Sequence, residues 1–288
     1  MSPLIQAENV MALLQSGTPA GRVAVFDATA RLPGQQDDPQ EVYLLGHLKD
    51  AARFDIDVFA DVDTALPHMA PSAGRFARLA GEAGLTRDDT VILYDQGNTA
   101  SACRAWWLFR LFGHEKVFIL DGGRPAWEAA GGECVTGSVP VAEKKVYETR
   151  PKMSRLSGAG DMLRNIDTKN ALVLDARPQA RFEGAAPEPR PGLASGHIPG
   201  SRNLPYGGLL DQKGCFLPVD ELKKILNGKG AEPDRTIIAT CGSGLSAAVI
   251  VVAAELAGFA DTSLYDGSWT EWGARSGLPV EQGPERVV

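Results

Sequence analysis

The stretch TIIATCGSGLSAAVIVVAAELAGFADTSLYDGSWTEWGARSG (Thr236–Gly277) repeats the pattern of an earlier one, TVILYDQGNTASACRAWWLFRLFGHEKVFILDGGRPAWEAAGG (Thr90–Gly132). Each stretch predicts a short apolar strand, a polar turn, a long helix and a second strand that ends in Asp-Gly, followed by a tryptophan. Self-similarity at a fixed spacing indicates that one structural unit occurs twice. We therefore predict a duplicated chain.

The duplication extends upstream of these stretches. VAVFDA at residues 23–28 matches ALVLDA at residues 171–176, and GHLKDAARFDI at 46–56 matches GHIPGSRNLPY at 196–206. Between the copies lies the polar segment AEKKVYETRPKMSR at 142–155. We predict an N-terminal domain over residues 1–135, a linker over 136–158 and a C-terminal domain over 159–288.

Short apolar strands alternate with helical segments in both copies. Strands that are apolar throughout are typical of parallel sheets covered by helices on both faces, so we predict an α/β fold with two tandem domains, each a mainly parallel sheet flanked by helices. Ligands of such sheets bind beyond the carboxyl ends of the strands. The predicted strands are Val23–Phe26, Val91–Tyr94, Val117–Leu120, Leu172–Leu174, Ile237–Thr240 and Ser263–Tyr265.

The chain is acidic, with a formal net charge of -7 over 288 residues. Such a charge argues against nucleic acid and acidic membrane surfaces as partners. The longest apolar run, Ala247–Ala254, is far shorter than the roughly 20 residues that a membrane-spanning helix requires. The N-terminus lacks the basic and apolar regions of a secretory signal. We expect a cytoplasmic, monomeric protein.

The four cysteines lie far apart and form no Cys-x-x-Cys motif. This spacing argues against a zinc site, and a cytoplasmic location argues against disulfides. We expect Cys103, Cys134 and Cys215 to be small buried side chains. We expect neither a metal nor an organic cofactor.

Cys241 is different because it follows an apolar strand and precedes a long helix. Gly242 and Gly244 permit a tight turn with positive φ, in which several amide N–H groups can surround an anion. Helix N-termini favour ionised thiols, and the thiolate is the nucleophilic form. The first copy has Asp95 at the equivalent position. We therefore predict one copy with a nucleophilic cysteine and one copy without.

The motifs CGSGLSAA (241–248), GHIPG (196–200), DGSWTEWG (266–273) and RFEGAAPEPRPGL (181–193) resemble the tandem-domain rhodanese superfamily, and within it the 3-mercaptopyruvate sulfurtransferases. The resemblance implies two rhodanese-like domains and an enzyme that moves sulfur from 3-mercaptopyruvate. The Cys241 thiolate would become a persulfide, pyruvate would leave, and a thiol such as thioredoxin, or cyanide, would accept the sulfur. The implied substrate-binding loop consists of Gly242, Gly244, Leu245, Ser246 and Ala247.

The resemblance also implies roles for side chains outside this loop. Ser243 would work with a histidine and an aspartate from the first domain, which we assign to His47 and Asp37, with Asp38 as the alternative. An arginine pair, Arg181 and Arg190, would bind the substrate carboxylate.

Structural roles remain open for several of these residues. His47 and His197 could serve the fold, and the two arginines could pair with Glu183 or Glu188. For Arg177 we predict an ion pair with Asp175.

Three other functions compete with this interpretation. A thiosulfate sulfurtransferase is the nearest, but relatives that prefer thiosulfate tend to carry cationic residues after the cysteine, where this chain has Gly242 and Ser243. A cysteine phosphatase would need an arginine where Ala247 stands. A non-catalytic binding module would not need Cys241.

Overall fold

The computed structural model describes residues 2–17, 21–32 and 34–285, and it divides into two compact units. Unit 1 contains the described residues up to Val62, together with Ala70–Lys152 and Gln212–Phe216. Unit 2 contains Asp63–Met69, Met153–Asp211 and the described residues from Leu217 onward. Each unit thus includes a short segment from the other half of the chain. The sequence does not anticipate these two segments, and the boundaries 1–135, 136–158 and 159–288 stay a prediction.

Unit 1 is built on a five-stranded sheet in the order β1-β6-β5-β2-β4, in which every neighbouring pair is parallel. A short antiparallel pair, β3 and β7, lies apart from this sheet. The elements are β1 (Leu4–Ile5), α1 (Ala7–Ser16), β2 (Val23–Asp27), α2 (Pro39–Leu45), β3 (His47–Leu48), β4 (Ala52–Arg53), α3 (Ile56–Phe59), α4 (Ala73–Glu82), β5 (Thr90–Tyr94), α5 (Ala100–Leu111), β6 (Val117–Leu120), α6 (Gly123–Ala129) and β7 (Cys134–Val135).

Unit 2 repeats this sheet in the order β10-β9-β11-β12-β8, again with parallel neighbours throughout. Its elements are β8 (Leu156–Ser157), α7 (Ala159–Thr168), β9 (Leu172–Asp175), α8 (Gln179–Phe182), β10 (Arg202–Asn203), α9 (Val219–Gly228), β11 (Ile237–Thr240), α10 (Ala247–Leu256), β12 (Thr262–Tyr265) and α11 (Ser268–Trp272), with 3-10 turns at Met153–Arg155 and Tyr206–Leu209. The predicted α/β class with two parallel sheets is confirmed.

The central strands lie where the sequence predicts them because they are apolar on both faces. Every residue of β5 and β11 is buried, as expected for strands covered by helices on both sides. Helix α10 is buried from Ala247 to Ala254. A helix that is apolar on all sides lies in the core rather than at the surface. Helix α10 is therefore a core helix of unit 2.

The part of the predicted linker that ends at Lys152 belongs to unit 1 and packs within it. A Cβ atom on Gly113 would lie 2.3 Å from the carbonyl oxygen of Arg150, so only glycine permits this close approach. Tyr147 is buried, its ring stacks on His114, and its hydroxyl lies 2.9 Å from His114 Nδ1. The segment is therefore anchored by an aromatic contact and a buried hydrogen bond.

The His114–Tyr147 contact predicts a pH dependence of stability. His114 Nε2–H donates to the Asp89 carbonyl oxygen at 3.0 Å, and in the neutral ring Nδ1 accepts from the Tyr147 hydroxyl. Burial lowers the pKa of His114 from 6.5 to about 4, an effect that Arg87 reinforces and that Asp89 and Lys116 oppose. The unfolded chain therefore binds the proton more tightly. The free energy of unfolding should fall by up to about 3 kcal/mol as the pH falls from 6.5 to 4.

Urea unfolding at pH 7 and at pH 4.5 measures this effect. His114→Phe keeps an apolar ring without a titrating nitrogen and should lose that part of the pH dependence. An unchanged pH dependence in His114→Phe would show that His114 does not cause it.

Within the described ranges, no helix is long and apolar enough to cross a membrane. The same part of the chain contains no group of three or more histidine, cysteine or acidic side chains placed to hold a metal ion. All four cysteines are free thiols. Cys103 is buried as predicted, whereas Cys134 and Cys215 are partly exposed, so the prediction of burial is wrong for these two.

Candidate active site

Cys241 directly follows β11, at the carboxyl end of the unit 2 sheet. Its amide donates to Ser268 Oγ at 3.2 Å, and its carbonyl oxygen accepts from the amide of Trp269 at 2.9 Å. The residue is only 2% exposed, while Gly242 next to it is partly exposed. The backbone on both sides of the thiol is thus fixed by the first turn of α11.

The two glycines of the loop serve different purposes. Gly244 has a φ of 79°, in the left-handed region that favours glycine. Gly242 does not adopt a positive φ, so that part of the prediction is wrong. Instead, a Cβ atom on Gly242 would lie 3.2 Å from Arg181 Nη2. The missing side chain at Gly242 lets a guanidinium group approach the loop backbone.

The loop carries amide donors that bond no acceptor among the described residues. Between β11 and α10, the N–H groups of five residues make no hydrogen bond within the part of the chain that the structure describes: Gly242, Ser243, Leu245, Ser246 and Ala247. The first N–H groups of a helix have no acceptor within the helix. Successive unpaired N–H groups of this kind attract an anion.

The equivalent loop of unit 1 shows what such donors bind. Asp95 stands at the position of Cys241, and its buried Oδ1 accepts from the amides of Gly97 and Thr99, each at 3.0 Å. Its Oδ2 accepts from Ala102 at 3.0 Å. Burial raises the pKa of Asp95, and these three amides oppose that rise.

The spacing along the loop identifies the matching amides in unit 2. Ser243 and Leu245 stand two and four residues after Cys241, as Gly97 and Thr99 do after Asp95. In unit 1 these amides hold a carboxyl group, and in unit 2 they have no acceptor among the described residues.

A histidine that the sequence analysis did not select lies beside Ser243. His68 Nδ1 is 3.1 Å from Ser243 Oγ. The segment Asp63–Met69 that carries His68 belongs to unit 2, although it comes from the first half of the sequence. His68 has a φ of 62°, an uncommon conformation for a residue with a side chain. A loop residue in a strained backbone conformation thus contacts the serine.

The assignment of His47 as the partner of Ser243 is therefore replaced. His47 is 1% exposed, its Nδ1 lies 3.0 Å from the Tyr43 carbonyl oxygen, and its ring stacks on Tyr43. His197 makes the same two contacts in unit 2, with the carbonyl oxygen and the ring of Phe182. Both copies therefore place this histidine in the same two contacts, which serve the packing of each unit.

Neither predicted aspartate supports His47. Asp37 is exposed, and only its backbone carbonyl oxygen is engaged, by Arg31. Asp38 caps α2 by accepting from the amide of Gln40 at 2.7 Å. Since Tyr43 already engages His47 Nδ1, the structure does not bring Asp37 or Asp38 to that nitrogen.

The arginines following β9 form an ion-pair cluster. Arg177 bonds Asp175 at 2.7 Å and Glu188 at 2.7 Å, and its guanidinium lies 4.3 Å from the Trp269 ring centroid. The predicted structural pair with Asp175 is confirmed. Arg181 also bonds Glu188, through Nε and Nη2.

Arg190 differs from the other two arginines. It is half-buried, and its guanidinium makes no hydrogen bond or ion pair within residues 2–17, 21–32 and 34–285.

Comparison with known proteins places this geometry in a family. A model of the rhodanese-like domain matches residues 8–130 and again residues 158–275. The chain belongs to the rhodanese family. Unit 1 is thus a rhodanese-like domain with an aspartate in place of the cysteine, and unit 2 is a rhodanese-like domain that retains it.

Several relatives align with this chain across both of the matched regions. The 3-mercaptopyruvate sulfurtransferase of Escherichia coli K12 is 41% identical over 260 residues, which cover 90% of this chain and 92% of that protein. The mitochondrial thiosulfate/3-mercaptopyruvate sulfurtransferase 1 of Arabidopsis thaliana is 36% identical, over 89% of this chain and 73% of that one. The crystal structure of SseA from Escherichia coli, described as a 3-mercaptopyruvate sulfotransferase with a rhodanese fold, matches with a TM-score of 0.82 at 34% identity, over 93% of this chain and 99% of that one.

Comparison of the two sequence repeats distinguishes His68 from the histidines that occur in both copies of this rhodanese. The chain has four histidines. His47 and His197 occupy equivalent positions in the two copies, and a side chain kept in both the cysteine copy and the aspartate copy is more simply explained by the fold. That reasoning leaves His68 and His114, of which His114 is buried against Tyr147.

Proposed function

We propose that this rhodanese is a sulfurtransferase that takes sulfur from 3-mercaptopyruvate, holds it as a persulfide on Cys241 and passes it to a thiol such as thioredoxin. The observation that carries the proposal is the loop after Cys241, whose amides at Ser243 and Leu245 have no acceptor among the described residues, while their counterparts in unit 1 hold a carboxyl group. The names of the relatives support the choice of donor. A cytoplasmic location and a monomeric state stay predictions.

The first half-reaction is a displacement at sulfur. The Cys241 thiolate attacks the sulfur of 3-mercaptopyruvate, and the S–S bond forms as the C–S bond breaks. The electron pair of the C–S bond goes to the methylene carbon and gives the enolate of pyruvate. This enolate takes up the proton from the transferred sulfur and leaves as pyruvate, so that the negative charge remains on the persulfide. The amide donors of the loop stabilise that charge.

In the second half-reaction a thiolate acceptor attacks the outer sulfur of the persulfide. The S–S bond to Cys241 breaks, and its electron pair returns to the Cys241 sulfur as thiolate. The sulfur leaves on the acceptor, and the enzyme is restored. Two separate half-reactions predict ping-pong kinetics.

Ser243 and His68 form the proton-handling pair in this proposal. The Ser243 hydroxyl lies two residues from the nucleophile, and its 3.1 Å contact with His68 supplies a group that can give or take a proton. The pair can carry the proton between the sulfur of the substrate and the enolate carbon. In this proposal Cys241 remains the nucleophile and the loop amides remain the anion-binding groups.

Arg181 and Arg190 bind the substrate carboxylate in this proposal. Arg181 Nη2 approaches Gly242, and Arg190 has no anionic partner among the described residues. A planar guanidinium matches a carboxylate in a bidentate arrangement.

Comparing kcat/KM for 3-mercaptopyruvate and thiosulfate tests the choice of donor. The Arabidopsis relative is named for both, but the side chains that follow Cys241 here are neutral. We expect 3-mercaptopyruvate to be the better donor by at least an order of magnitude. A preference for thiosulfate would identify the protein as a thiosulfate sulfurtransferase instead.

The histidine assignment predicts opposite behaviour for two variants. His68→Gln should lower kcat for 3-mercaptopyruvate by roughly a hundredfold, the range in which positioned acids and bases contribute, with little change in thermal stability. His47→Gln should lower thermal stability, because it disturbs a buried ring stacked on Tyr43, and leave kcat of the folded fraction within about threefold of wild type. Steady-state kinetics and thermal unfolding of both variants measure this, and a larger loss of kcat in His47→Gln would reverse the assignment.

A further inference from the structure

Glu188 connects two of the arginines in the candidate site. Its side chain is 3% exposed, and its Oε1 accepts from Arg177 Nη1 at 2.7 Å. Its Oε2 accepts from Arg181 Nε at 3.2 Å and also from Arg181 Nη2. One buried carboxylate therefore fixes the guanidinium that approaches Gly242.

This arrangement leaves only part of the Arg181 guanidinium free. Glu188 takes Nε and Nη2, whereas Nη1 makes no hydrogen bond to any described residue. The orientation of the group next to the Cys241 loop is thus set by Glu188. A substrate anion that binds Arg181 would therefore share its guanidinium with Glu188, which already neutralises part of its charge.

The charges in the cluster balance. The cations Arg177 and Arg181 face the anions Asp175 and Glu188 in three ion pairs. Arg190, two residues after Glu188, is the cation without an acidic partner among the described residues. Among the ion-pair cluster and Arg190, one positive charge is therefore uncompensated, while Glu183 lies outside the cluster and bonds Gln179.

We propose that Glu188 determines donor specificity, by positioning Arg181 and by cancelling its charge so that the site accepts a monocarboxylate rather than a dianion. This inference rests on the proposed function. 3-Mercaptopyruvate carries one carboxylate, whose charge one free cation compensates. Thiosulfate carries two negative charges, and the second would enter the site without a partner, which is costly away from bulk water.

Glu188→Gln keeps the shape of the side chain and removes its charge. The cluster then carries one more positive charge, which favours a dianion over a monoanion. Glu183→Gln is the matched control, because Glu183 lies in the same segment and bonds Gln179 at 2.7 Å rather than an arginine. Both variants change the net charge of the protein equally.

We expect the ratio of kcat/KM for thiosulfate to kcat/KM for 3-mercaptopyruvate to rise about tenfold or more in Glu188→Gln. The ratio should stay within about twofold of wild type in Glu183→Gln and in Glu188→Asp, which retains the negative charge. A purely structural role would lower both activities together and leave their ratio unchanged. An unchanged ratio in Glu188→Gln, or an equal rise in Glu183→Gln, would overturn the inference.

The unmodified enzyme provides a second test if Glu188→Gln does not fold. Malonate, a dianion, should inhibit the 3-mercaptopyruvate reaction no more strongly than pyruvate, a monoanion. Malonate inhibition that is tenfold stronger would contradict a site with one free cation. The two proposals can fail separately. A preference of the wild-type enzyme for thiosulfate would refute the proposed donor. The comparison of Glu188→Gln with Glu183→Gln would still show whether Glu188 sets the ratio of the two kcat/KM values.

Discussion

Replacing Cys241 with serine should lower sulfur transfer by at least about a thousandfold, because a serine hydroxyl is not ionised near neutral pH and cannot hold a transferred sulfur atom. The substitution is nearly isosteric, and the backbone contacts of Cys241 with Ser268 and Trp269 do not involve the thiol. The fold should therefore be retained. Thiocyanate formation from 3-mercaptopyruvate and cyanide measures the activity, and thermal unfolding measures the fold.

Cys134→Ser is the control for this experiment. Cys134 is a partly exposed free thiol in unit 1, on β7. Its replacement should leave kcat/KM within about twofold of wild type. If Cys241→Ser kept near-normal activity, or if Cys134→Ser lost it, the nucleophile would be another residue.

Replacing Arg190 with alanine should raise KM for 3-mercaptopyruvate by roughly ten- to a hundredfold, with a smaller change in kcat. The loss of a charged hydrogen bond costs about 1.5–3 kcal/mol, and an interaction made equally in the bound substrate and the transition state appears in KM. Arg190 has no described protein partner. Its removal therefore leaves no buried carboxylate unpaired, and stability should change little.

Arg164→Ala provides the comparison, because Arg164 is an exposed arginine on α7 that pairs with Asp161. This variant removes one positive charge from unit 2. Arg164 makes no described hydrogen bond or ion pair with the loop residues named above. Its KM should match that of wild type. A normal KM in Arg190→Ala, or an equal rise in both variants, would show that Arg190 does not bind the carboxylate.

The sequence predicts most of the fold because duplication and burial leave strong patterns. Strands such as β5 and β11 are apolar throughout, and strands buried on both faces must be so. The repeated Asp-Gly and Trp positions align the two copies. The exchange of Asp63–Met69 and Gln212–Phe216 between the units leaves no comparable pattern, because short loop segments carry no hydrophobic periodicity.

The candidate site is predicted less completely. Cys241 and its glycines stand at a strand end, where sequence reasoning is direct, and the pair Arg177–Asp175 follows from their proximity in the chain. The sequence does not show that His47 Nδ1 contacts a backbone carbonyl oxygen, that of Tyr43. Any residue type can supply such an acceptor, so no sequence motif reveals it. His68 lies 175 residues from Ser243 in the chain, and only the fold brings them together.

The most direct test of the central claim is the mass of the Cys241 peptide after the enzyme is mixed with 3-mercaptopyruvate without an acceptor. The account predicts that this peptide gains the mass of one sulfur atom, that one pyruvate appears for each sulfur bound, and that cyanide or a thiol removes the added sulfur. Pyruvate release with an unmodified Cys241 peptide, or an added sulfur on Cys103, Cys134 or Cys215 instead, would contradict it.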